Sequence, residues 1–458
     1  MSVVGKGEAM SGNRLVARAA AWVLGAFVAL AGGAAQAADV ALPHQAKDVH
    51  LGVASCAGST CHGAVAPWRD SNVLQNEYTT WMAKDPHAKA YSVLLNDHSK
   101  RIAKNLGIPA AHEAKVCLDC HADNVAPAQR GAQFQLSDGV GCEACHGGGE
   151  RWLGIHVSGK ATHAQNVAAG LFPTEDPKHR ANLCLGCHLG DETRAITHKI
   201  MGAGHPRLAF ELDTFTSIQP AHYRVDDDYA KRKAVANGVK TWAIGQAIAL
   251  SKFMDLVADP ARNRDGIMPE FVLYDCQSCH TPLNNMTWQA QATQGIGPGV
   301  PRLHGANAAM LKVIAAAVAP GMQAELVERS RALHAASQRD KAEMERAAKA
   351  LKQTADKLAD SFAGRAFDGN DIRALMQALV AAGLQEGYAD YASAEQTTMA
   401  LSAVIDALKA TGQVDPTRHR GMQQALEACY AAVKQDATYT PAAFTAALQQ
   451  FQAAMPAF

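Results

Sequence analysis

Five cysteine-histidine junctions constrain this chain of 458 residues more than any other feature. In four of them two residues separate a pair of cysteines and a histidine follows directly, whereas CAGSTCH has four residues between its cysteines. The cysteines are Cys56/Cys61, Cys117/Cys120, Cys142/Cys145, Cys184/Cys187 and Cys276/Cys279, and the histidines are His62, His121, His146, His188 and His280. In this pattern each thiol binds a vinyl group of one c-type haem, and the histidine is the proximal iron ligand. The sequence therefore predicts five covalently attached haem c groups.

Two other interpretations of the cysteine pairs are open. An even set of cysteines in an exported protein is typical of disulfides, and clusters of four cysteine or histidine ligands hold zinc. Neither explains why a histidine follows the second cysteine in all five pairs. The eleventh cysteine, Cys429, lies on an apolar helical stripe, where we expect a buried and unreactive thiol.

The first 37 residues have the layout of a secretion signal. Arg14 and Arg18 precede the apolar run Ala19 to Leu30, and a small-x-small cleavage site ends at Ala37. The alternative is a membrane anchor, but this run is shorter than the ~20 residues that a span requires. We therefore predict cleavage of residues 1–37, a periplasmic location and no permanent membrane span.

The charge composition argues against a nucleic-acid partner. The chain has 43 Lys and Arg against 43 Asp and Glu, so its formal net charge is zero. A nucleic-acid-binding protein needs at least a basic face. Aromatic residues make up only 6% of the chain, which suits a protein whose interior is filled partly by porphyrins.

The predicted fold is mostly α: a multihaem cytochrome c core with little β structure, followed by a C-terminal helical bundle. Residues 38–225 form an irregular tetrahaem domain without strand-like alternation. Residues 226–305 hold a helix over Ala230 to Val257, the fifth motif and a Gly/Pro-rich connector from Gly295 to Gly305. Residues 306–458 have apolar residues at helical spacing and predict four to six helices. The residues expected to separate these helices are Gly364, Gly383, Gly412 and Pro441.

The chain has nineteen histidines, so fourteen remain for at most five distal ligand positions. Two histidines on an iron suit electron transfer, whereas an empty sixth position permits a small molecule to bind. The predicted distal ligands are His87 in DPHAKAY, His156 ten residues beyond the third motif, and His205 in GAGHPRLAF. Weaker candidates are His98, His163, His179, His198 and His222. The histidines expected to be solvent-facing or structural are His44, His50, His334 and His419.

From the first motif to about His205, somewhat under half of the chain, the sequence resembles the cytochrome c-554 family of tetrahaem electron carriers, which accept electrons from hydroxylamine oxidoreductase. The resemblance is carried by HAKAY at His87, by GVGCEACHGGG with His156 beyond it, and by the order and spacing of the first four motifs. It implies a mostly α fold with closely stacked haem pairs. It also implies His156 as distal ligand of the first haem, His87 as that of the third, and an open iron at His121.

Three features depart from the family pattern: the wider first motif, the fifth motif at His280, and the tail of residues 306–458. Long C-terminal helices in larger multihaem enzymes often support oligomers. The tail is therefore expected either to hold a homo-oligomer together or to shield the haem core.

The sequence predicts a periplasmic pentahaem cytochrome that transfers electrons between redox partner proteins through mainly bis-histidine haems. The alternative is a multihaem reductase or oxidase of a small nitrogen or sulfur compound at one open haem, with the iron at His121 as the candidate. Multihaem nitrite reductases replace one proximal histidine with lysine, and no motif here does so. A third alternative is a haem-bearing interaction or sensing module. We predict no catalytic side chain.

Overall fold

The computed structural model describes residues 1–2, 40–280, 300–386, 388 and 390–457. The run and cleavage site of the predicted signal, and connector residues 295–299, lie outside these residues. The chain divides into two units, Met1–Ala41 and Leu42–Phe458. All features discussed below belong to the second unit. Among the described residues, no helix has both the length and the apolar character needed to cross a bilayer.

The fold is mostly α, as predicted, and the first half of the chain is built from short helices. These helices are α1 (Glu77–Lys84), α2 (Ala90–Val93), α3 (Asp97–Leu106), α4 (Lys115–His121), α5 (Cys142–His146), α6 (Leu153–Val157), α7 (His163–Ala168), α8 (Pro177–His188), α9 (His198–Gly202), α10 (Leu212–Ile218) and α11 (Asp227–Arg232). Local capping sets many of their ends. Asn96 accepts a hydrogen bond from Ser99 N at the start of α3, and Gly107 ends that helix with a φ of 71°.

The helix α12 (Gly238–Ala258) is the longest element before the tail and is almost entirely buried. The sequence predicted one helix from Ala230 to Val257, and this prediction is wrong at its start. The chain leaves helical geometry after α11, and α12 begins anew because the Asn237 side chain accepts a hydrogen bond from Lys240 N. Asparagine is a strong N-cap, so it starts a new helix at this point.

A two-stranded hairpin is the only β-sheet in the described part of the chain. Its strands are β1 (Arg264–Asp265) and β2 (Met268–Pro269), which pair antiparallel. The turn contains Gly266 at a φ of 60°, a conformation that favours glycine. The exposed Ile267 projects at the turn.

Seven helices follow in the described residues of the tail, rather than the predicted four to six. They are α13 (Ala306–Val318), α14 (Pro320–Ser337), α15 (Lys341–Gly364), α16 (Gly369–Glu386), α17 (Tyr391–Ala410), α18 (Pro416–Ala432) and α19 (Pro441–Ala454). One predicted helix break is also wrong, because Gly383 lies inside α16. A β-carbon there would lie 2.4 Å from Leu448 Cδ2, so the glycine permits α16 and α19 to pack closely.

The apolar core is distributed unevenly along the chain. One buried cluster extends from Ala181 to Phe451 and unites α8, α12 and the tail helices. α12 packs on α8 and α15, so the segment of the fifth motif and the tail share this core. The region of the first three motifs has only one small second cluster, whose members are Leu94, Ala103, Ala111, Leu118 and Ala122.

Candidate haem sites

Three of the five motifs occupy the last turn of an α-helix. α4, α5 and α8 end at His121, His146 and His188 respectively. Residues three apart lie on one face of a helix, so the two thiols of each motif face the same way.

The fifth motif differs from the other four in the exposure of its cysteines, a difference that its sequence does not indicate. Cys276 and Cys279 are exposed, whereas the eight cysteines of the other motifs are partly buried. Cys276 begins a short 3₁₀ turn, which ends before Cys279. Cys279 N and His280 N both donate to the Cys276 carbonyl, at 3.2 Å and 2.8 Å, so the turn keeps the three motif residues together. Attachment of a haem at Cys276 and Cys279 therefore stays a prediction, and a porphyrin bound there would cover both thiols.

The first motif absorbs its two extra residues in a turn. Cys61 N donates to the Gly58 carbonyl at 2.9 Å, and His62 N donates to the Cys56 carbonyl at 3.1 Å. The backbone therefore folds back on itself between the two cysteines. This local bulge returns the histidine to a position directly beside the first cysteine of the motif.

Each of the five motif histidines faces one other histidine. The ring-centroid distances are 6.1 Å for His62 and His156, 6.4 Å for His121 and His205, 6.2 Å for His146 and His222, 6.2 Å for His188 and His87, and 6.3 Å for His280 and His198. No histidine is shared between two pairs. Ten of the nineteen histidines are thereby arranged as five pairs.

These pairs fit one metal ion held between two imidazoles. With metal–nitrogen bonds of ~2 Å on opposite sides of an iron, two imidazole centroids lie about 6 Å apart. Packed aromatic rings reach similar distances, as Tyr91 and His112 do at 6.3 Å. The distance alone is therefore not decisive. The one-to-one pairing of every motif histidine is what fits haem.

Hydrogen bonds leave Nε2 free for the iron in four of the ten rings. His62 Nδ1 lies 2.8 Å from Glu77 Oε2, and His87 Nδ1 lies 2.9 Å from Asp85 Oδ1. His121 Nδ1 donates to the Ala90 carbonyl at 3.0 Å, and His205 Nδ1 donates to the Pro206 carbonyl at 2.8 Å. Such outer hydrogen bonds fix the tautomer and the orientation of a ligating ring.

Burial keeps several of the paired rings neutral, which is the form that binds a metal. Burial lowers the pKa of His146 to about 3 and that of His188 to about 4. It also lowers the pKa of His156 and His121. His62 and His87 differ, because their hydrogen bonds to Glu77 and Asp85 raise their pKa.

Cysteines of different motifs adjoin each other. The Cys142 thiol lowers the pKa of Cys56, and the Cys120 thiol lowers that of Cys187, so the two thiols of each pair lie close together. The first and third motifs are thus neighbours, as are the second and fourth. All eleven cysteines are free thiols here, which gives the disulfide interpretation no support.

The third motif is organised by a buried carboxylate that the sequence did not single out. Glu143 Oε1 accepts hydrogen bonds from Leu51 N and Gly149 N, each at 2.7 Å. Its Oε2 accepts one from Gly52 N, also at 2.7 Å. Glu143 therefore ties the chain before the first motif to the glycine-rich loop that follows His146. Its place inside the motif, between two cysteines, is the signal that could have identified it.

Two of the pairings differ from those that the family resemblance implied. His87 faces His188 of the fourth motif instead of the histidine of the third. His205 faces His121, where the resemblance implied an open position. His156 lies opposite His62 of the first motif, the position that the resemblance gave it.

The histidines opposite the third and fifth motifs, His222 and His198, ranked only as weaker candidates in the sequence. Neither lies in a motif of its own. The structure positions His198 at the start of α9, where its backbone N–H donates to Glu270 Oε1 at 2.7 Å. A capping threonine, Thr197, directly before it is the one local signal of that helix start.

The remaining candidates have other partners. His163 lies 2.5 Å from Glu175, His179 Nδ1 lies 2.8 Å from Asp176, and His98 Nε2 donates to the Gly204 carbonyl at 3.0 Å. Of the histidines expected to be solvent-facing or structural, His50, His334 and His419 are buried, which agrees with the structural alternative. Cys429 is buried as expected, and burial raises its pKa to about 11.

The described residues contain no group of three or more His, Cys, Asp or Glu side chains arranged around one metal ion. The zinc interpretation requires such a group. The donor set that is present, paired imidazoles beside paired thiols, fits haem c. The ten thiols would hold the porphyrins, and the five histidine pairs would hold the irons.

Comparisons with known proteins agree with this donor set. Residues 55–147 match the family model described as cytochrome c554 and c-prime. Cytochrome c-554 of Nitrosomonas europaea is 28% identical over 151 residues, which are 29% of this chain and 56% of that relative. The chain thus spans little more than half the length of this curated relative, and no solved structure gives a significant match. Residues 55–147 of this chain are thus similar to the cytochrome c-554 family.

Proposed function

We propose that this protein is a pentahaem cytochrome that transfers electrons between redox partner proteins through five bis-histidine haems. The observation that carries the proposal is the pairing of every motif histidine with one other histidine. Haem iron supplies reversible one-electron chemistry, with a potential set by its ligands and surroundings. The chain contributes two imidazoles at each iron and so leaves no position for a substrate.

The arrangement of the motifs supports a continuous path for electrons from one haem to the next. Cys56 lies beside Cys142 and Cys120 lies beside Cys187, so the predicted attachment sites form two pairs of neighbours. The fifth site connects through α9, because His198 begins this helix and His205 follows three residues after its end. One short segment thereby supplies a ligand to the fifth motif and another to the second.

The alternative, a reductase or oxidase, requires an open iron. The sequence singled out the iron at His121 for that role, and the His205 ring stands opposite it. A bis-histidine site there favours the electron carrier.

The proposed location is the periplasm, because residues 1–37 have the pattern of a secretion signal. Haem c is attached on the outer side of the bacterial inner membrane, which agrees with this location. A homo-oligomer formed through the tail helices remains a prediction, which sedimentation of the holoprotein tests.

The experiment is electron paramagnetic resonance of the ferric holoprotein, combined with its intact mass. We expect a mass with five attached haems and spectra without a high-spin signal. The ring planes are near orthogonal in three pairs, at 81°, 85° and 89°, and closer to parallel in two, at 16° and 33°. The relative orientation of axial imidazoles sets the anisotropy of a low-spin signal. We therefore expect two classes of low-spin signal, in a ratio of three to two.

A matched pair of variants tests the pairing directly. His222→Ala removes the ring opposite His146 and should make one haem in five high-spin. His163→Ala removes a histidine that is bonded to Glu175 and should leave the spectra unchanged. A high-spin signal from the unmodified protein, or fewer than five attached haems, would refute the proposal.

A further inference from the structure

We infer that the first two turns of α17 hold the second haem in its six-coordinate state by positioning the segment from His205 to Phe210. This inference rests on the proposed function, because it takes His205 as an iron ligand. It gives the tail, which the matched part of the family does not reach, a role in haem ligation.

The segment itself serves two haem sites. His205 faces His121 of the second motif at 6.4 Å. Five residues later, Phe210 stacks on His188 of the fourth motif, with centroids 4.7 Å apart and planes 29° apart. A displacement of this segment would therefore disturb the environment of two irons together.

Local structure alone does not hold the segment in place. It lies between α9 and α10 and has no regular secondary structure. Its internal side-chain hydrogen bonds join only adjacent residues, His205 Nδ1 to the Pro206 carbonyl at 2.8 Å and Arg207 Nη1 to the Leu208 carbonyl at 3.5 Å, so they do not tie the segment to other elements. On the side of α3, the loop before it is held by His98, which donates to the Gly204 carbonyl, and by Asn105, which donates to the Ala203 carbonyl at 3.0 Å.

On the other side, two side chains of α17, Tyr391 and Glu395, hold Arg207 of the segment. Arg207 Nη2 donates to Glu395 Oε1 at 2.7 Å, and the guanidinium carbon lies 5.0 Å from the centre of the Tyr391 ring. The Tyr391 hydroxyl lies 3.0 Å from the same Glu395 oxygen. We call Arg207, Tyr391 and Glu395 the arginine latch. Both charged side chains are largely buried, at 22% and 16% exposure, so solvent screens their attraction less than that of a surface pair.

A second contact holds the far end of the segment. Gln396 Nε2 donates to the Phe210 carbonyl at 3.0 Å, and Gln396 Oε1 accepts from Gln246 of α12 at 2.6 Å. Neighbouring residues of α17 therefore contact the segment at two positions, Arg207 and Phe210. Because α17 is packed into the main apolar cluster, these two contacts hold the segment against a fixed element.

The latch acts on haem ligation through position alone. Arg207 lies two residues from His205, so the ion pair limits how far the histidine ring can withdraw from an iron held by His121. If the latch is released, the contacts of Phe210 and those of the preceding loop with α3 remain, and Arg207 is no longer held. His205 would then leave the iron for part of the time, and a small ligand could enter.

The test uses the full-length holoprotein. Arg207→Gln and Glu395→Gln each remove the ion pair, one from the segment and one from the helix. Arg365→Gln is the matched control, because Arg365 pairs with Asp371 at 2.6 Å, far along the chain from the haem segment. The readouts are the ferric high-spin signal and the binding of added imidazole and cyanide, followed together with the melting temperature.

We expect both latch variants to show a high-spin share approaching one haem in five and to bind imidazole at least tenfold more tightly than the unmodified protein. The signal should match that of His205→Ala, and Arg207→Lys should restore part of the low-spin state. The control should keep its low-spin spectrum even if it melts earlier.

Two outcomes would overturn the inference. If the unmodified protein is fully low-spin and both latch variants stay so, the latch has no role, and the proposed function stands. If the unmodified protein already has the high-spin signal of His205→Ala, then His205 is not a ligand. In that case the bis-histidine proposal fails together with the latch.

Discussion

At the scale of single residues, the candidate haem sites contain both the paired histidines and the groups that orient them by hydrogen bonds. A carboxylate holds His62 and another holds His87, whereas backbone carbonyls hold His121 and His205. A carboxylate partner strengthens the basicity of a ligating imidazole more than a carbonyl does. Irons held by these histidines would therefore lie in different electrostatic settings even though their ligands would be alike.

A buried carboxyl group near the Phe210 segment gives a pH-dependent prediction. Burial, with the nearby carboxylates Glu211 and Asp406, raises the pKa of Asp213 to about 7. In the unfolded chain this carboxyl ionises near pH ~4. Between these values the native state keeps a proton that the unfolded state has lost, so stability falls as pH rises and then levels off above about pH 7.

The Asp213→Asn variant has no carboxyl group to ionise at this position, so it removes this fall of stability with rising pH. We expect the variant to gain stability relative to the unmodified protein as pH rises from 5 to 8, by on the order of 2 kcal/mol. Guanidinium unfolding of both proteins at the two pH values measures the difference. An equal difference at pH 5 and pH 8 would show that Asp213 is not held protonated.

At the scale of elements, α12 is the helix on which the two halves of the described chain meet. It packs on α8, which carries the fourth motif, and on α15 and α17 of the tail. It also contacts α10 at Gly245, where a β-carbon would lie 2.6 Å from Leu212 Cβ. The glycine is therefore required by the close approach of two helices.

Two glycine substitutions test this packing. Gly245→Ala should destabilise the protein by about 1–3 kcal/mol, because the added methyl group overpacks the contact with Leu212. Gly421→Ala in α18 meets no atom within 4 Å and should instead stabilise the protein by about 0.5–1 kcal/mol, since alanine is the better helix former. Chemical unfolding of both variants gives the comparison. Equal effects would mean that helix propensity, and not packing, decides at Gly245.

At the scale of the whole molecule, the apolar core and the haem motifs occupy different parts of the chain. The main cluster begins only at Ala181, whereas three of the five motifs precede it. The earlier region has a small cluster of five residues around Leu118. Such a cluster is too small to offset the conformational entropy of ordering more than a hundred residues.

We therefore predict that attached haem is needed to fold the first motifs but not the tail. In chain produced without haem attachment, residues 42–176 should be cleaved rapidly by a protease, while α12 to α19 stay protected. Limited proteolysis followed by mass spectrometry, with the holoprotein as control, measures this. Equal protection of both regions in the haem-free chain would contradict the prediction.

The sequence by itself determined the features that depend on neighbouring residues. The spacing of two cysteines and a histidine predicts four of the attachment sites, because a porphyrin reacts with two thiols a set distance apart, and the wider first motif is predicted from its Cys-His ending. The helical periodicity of the tail predicted helices there, and the cap at Asn237 could have predicted the start of α12. The run GVGCEACHGGG carries the resemblance to the cytochrome c-554 family.

Only the tertiary structure decided which histidine faces which motif. His222 and His198 have no pattern that marks them as ligands, and His87 faces the fourth motif although it precedes all but the first in sequence. The fifth motif has the same sequence pattern as the other CxxCH motifs, so the exposure of Cys276 and Cys279 could not be predicted from it. The arginine latch likewise joins Arg207 to Glu395 across almost two hundred residues. The physical reason is that a distal ligand is chosen by long-range packing of separate segments, and that packing leaves no periodicity or spacing in the sequence around either residue.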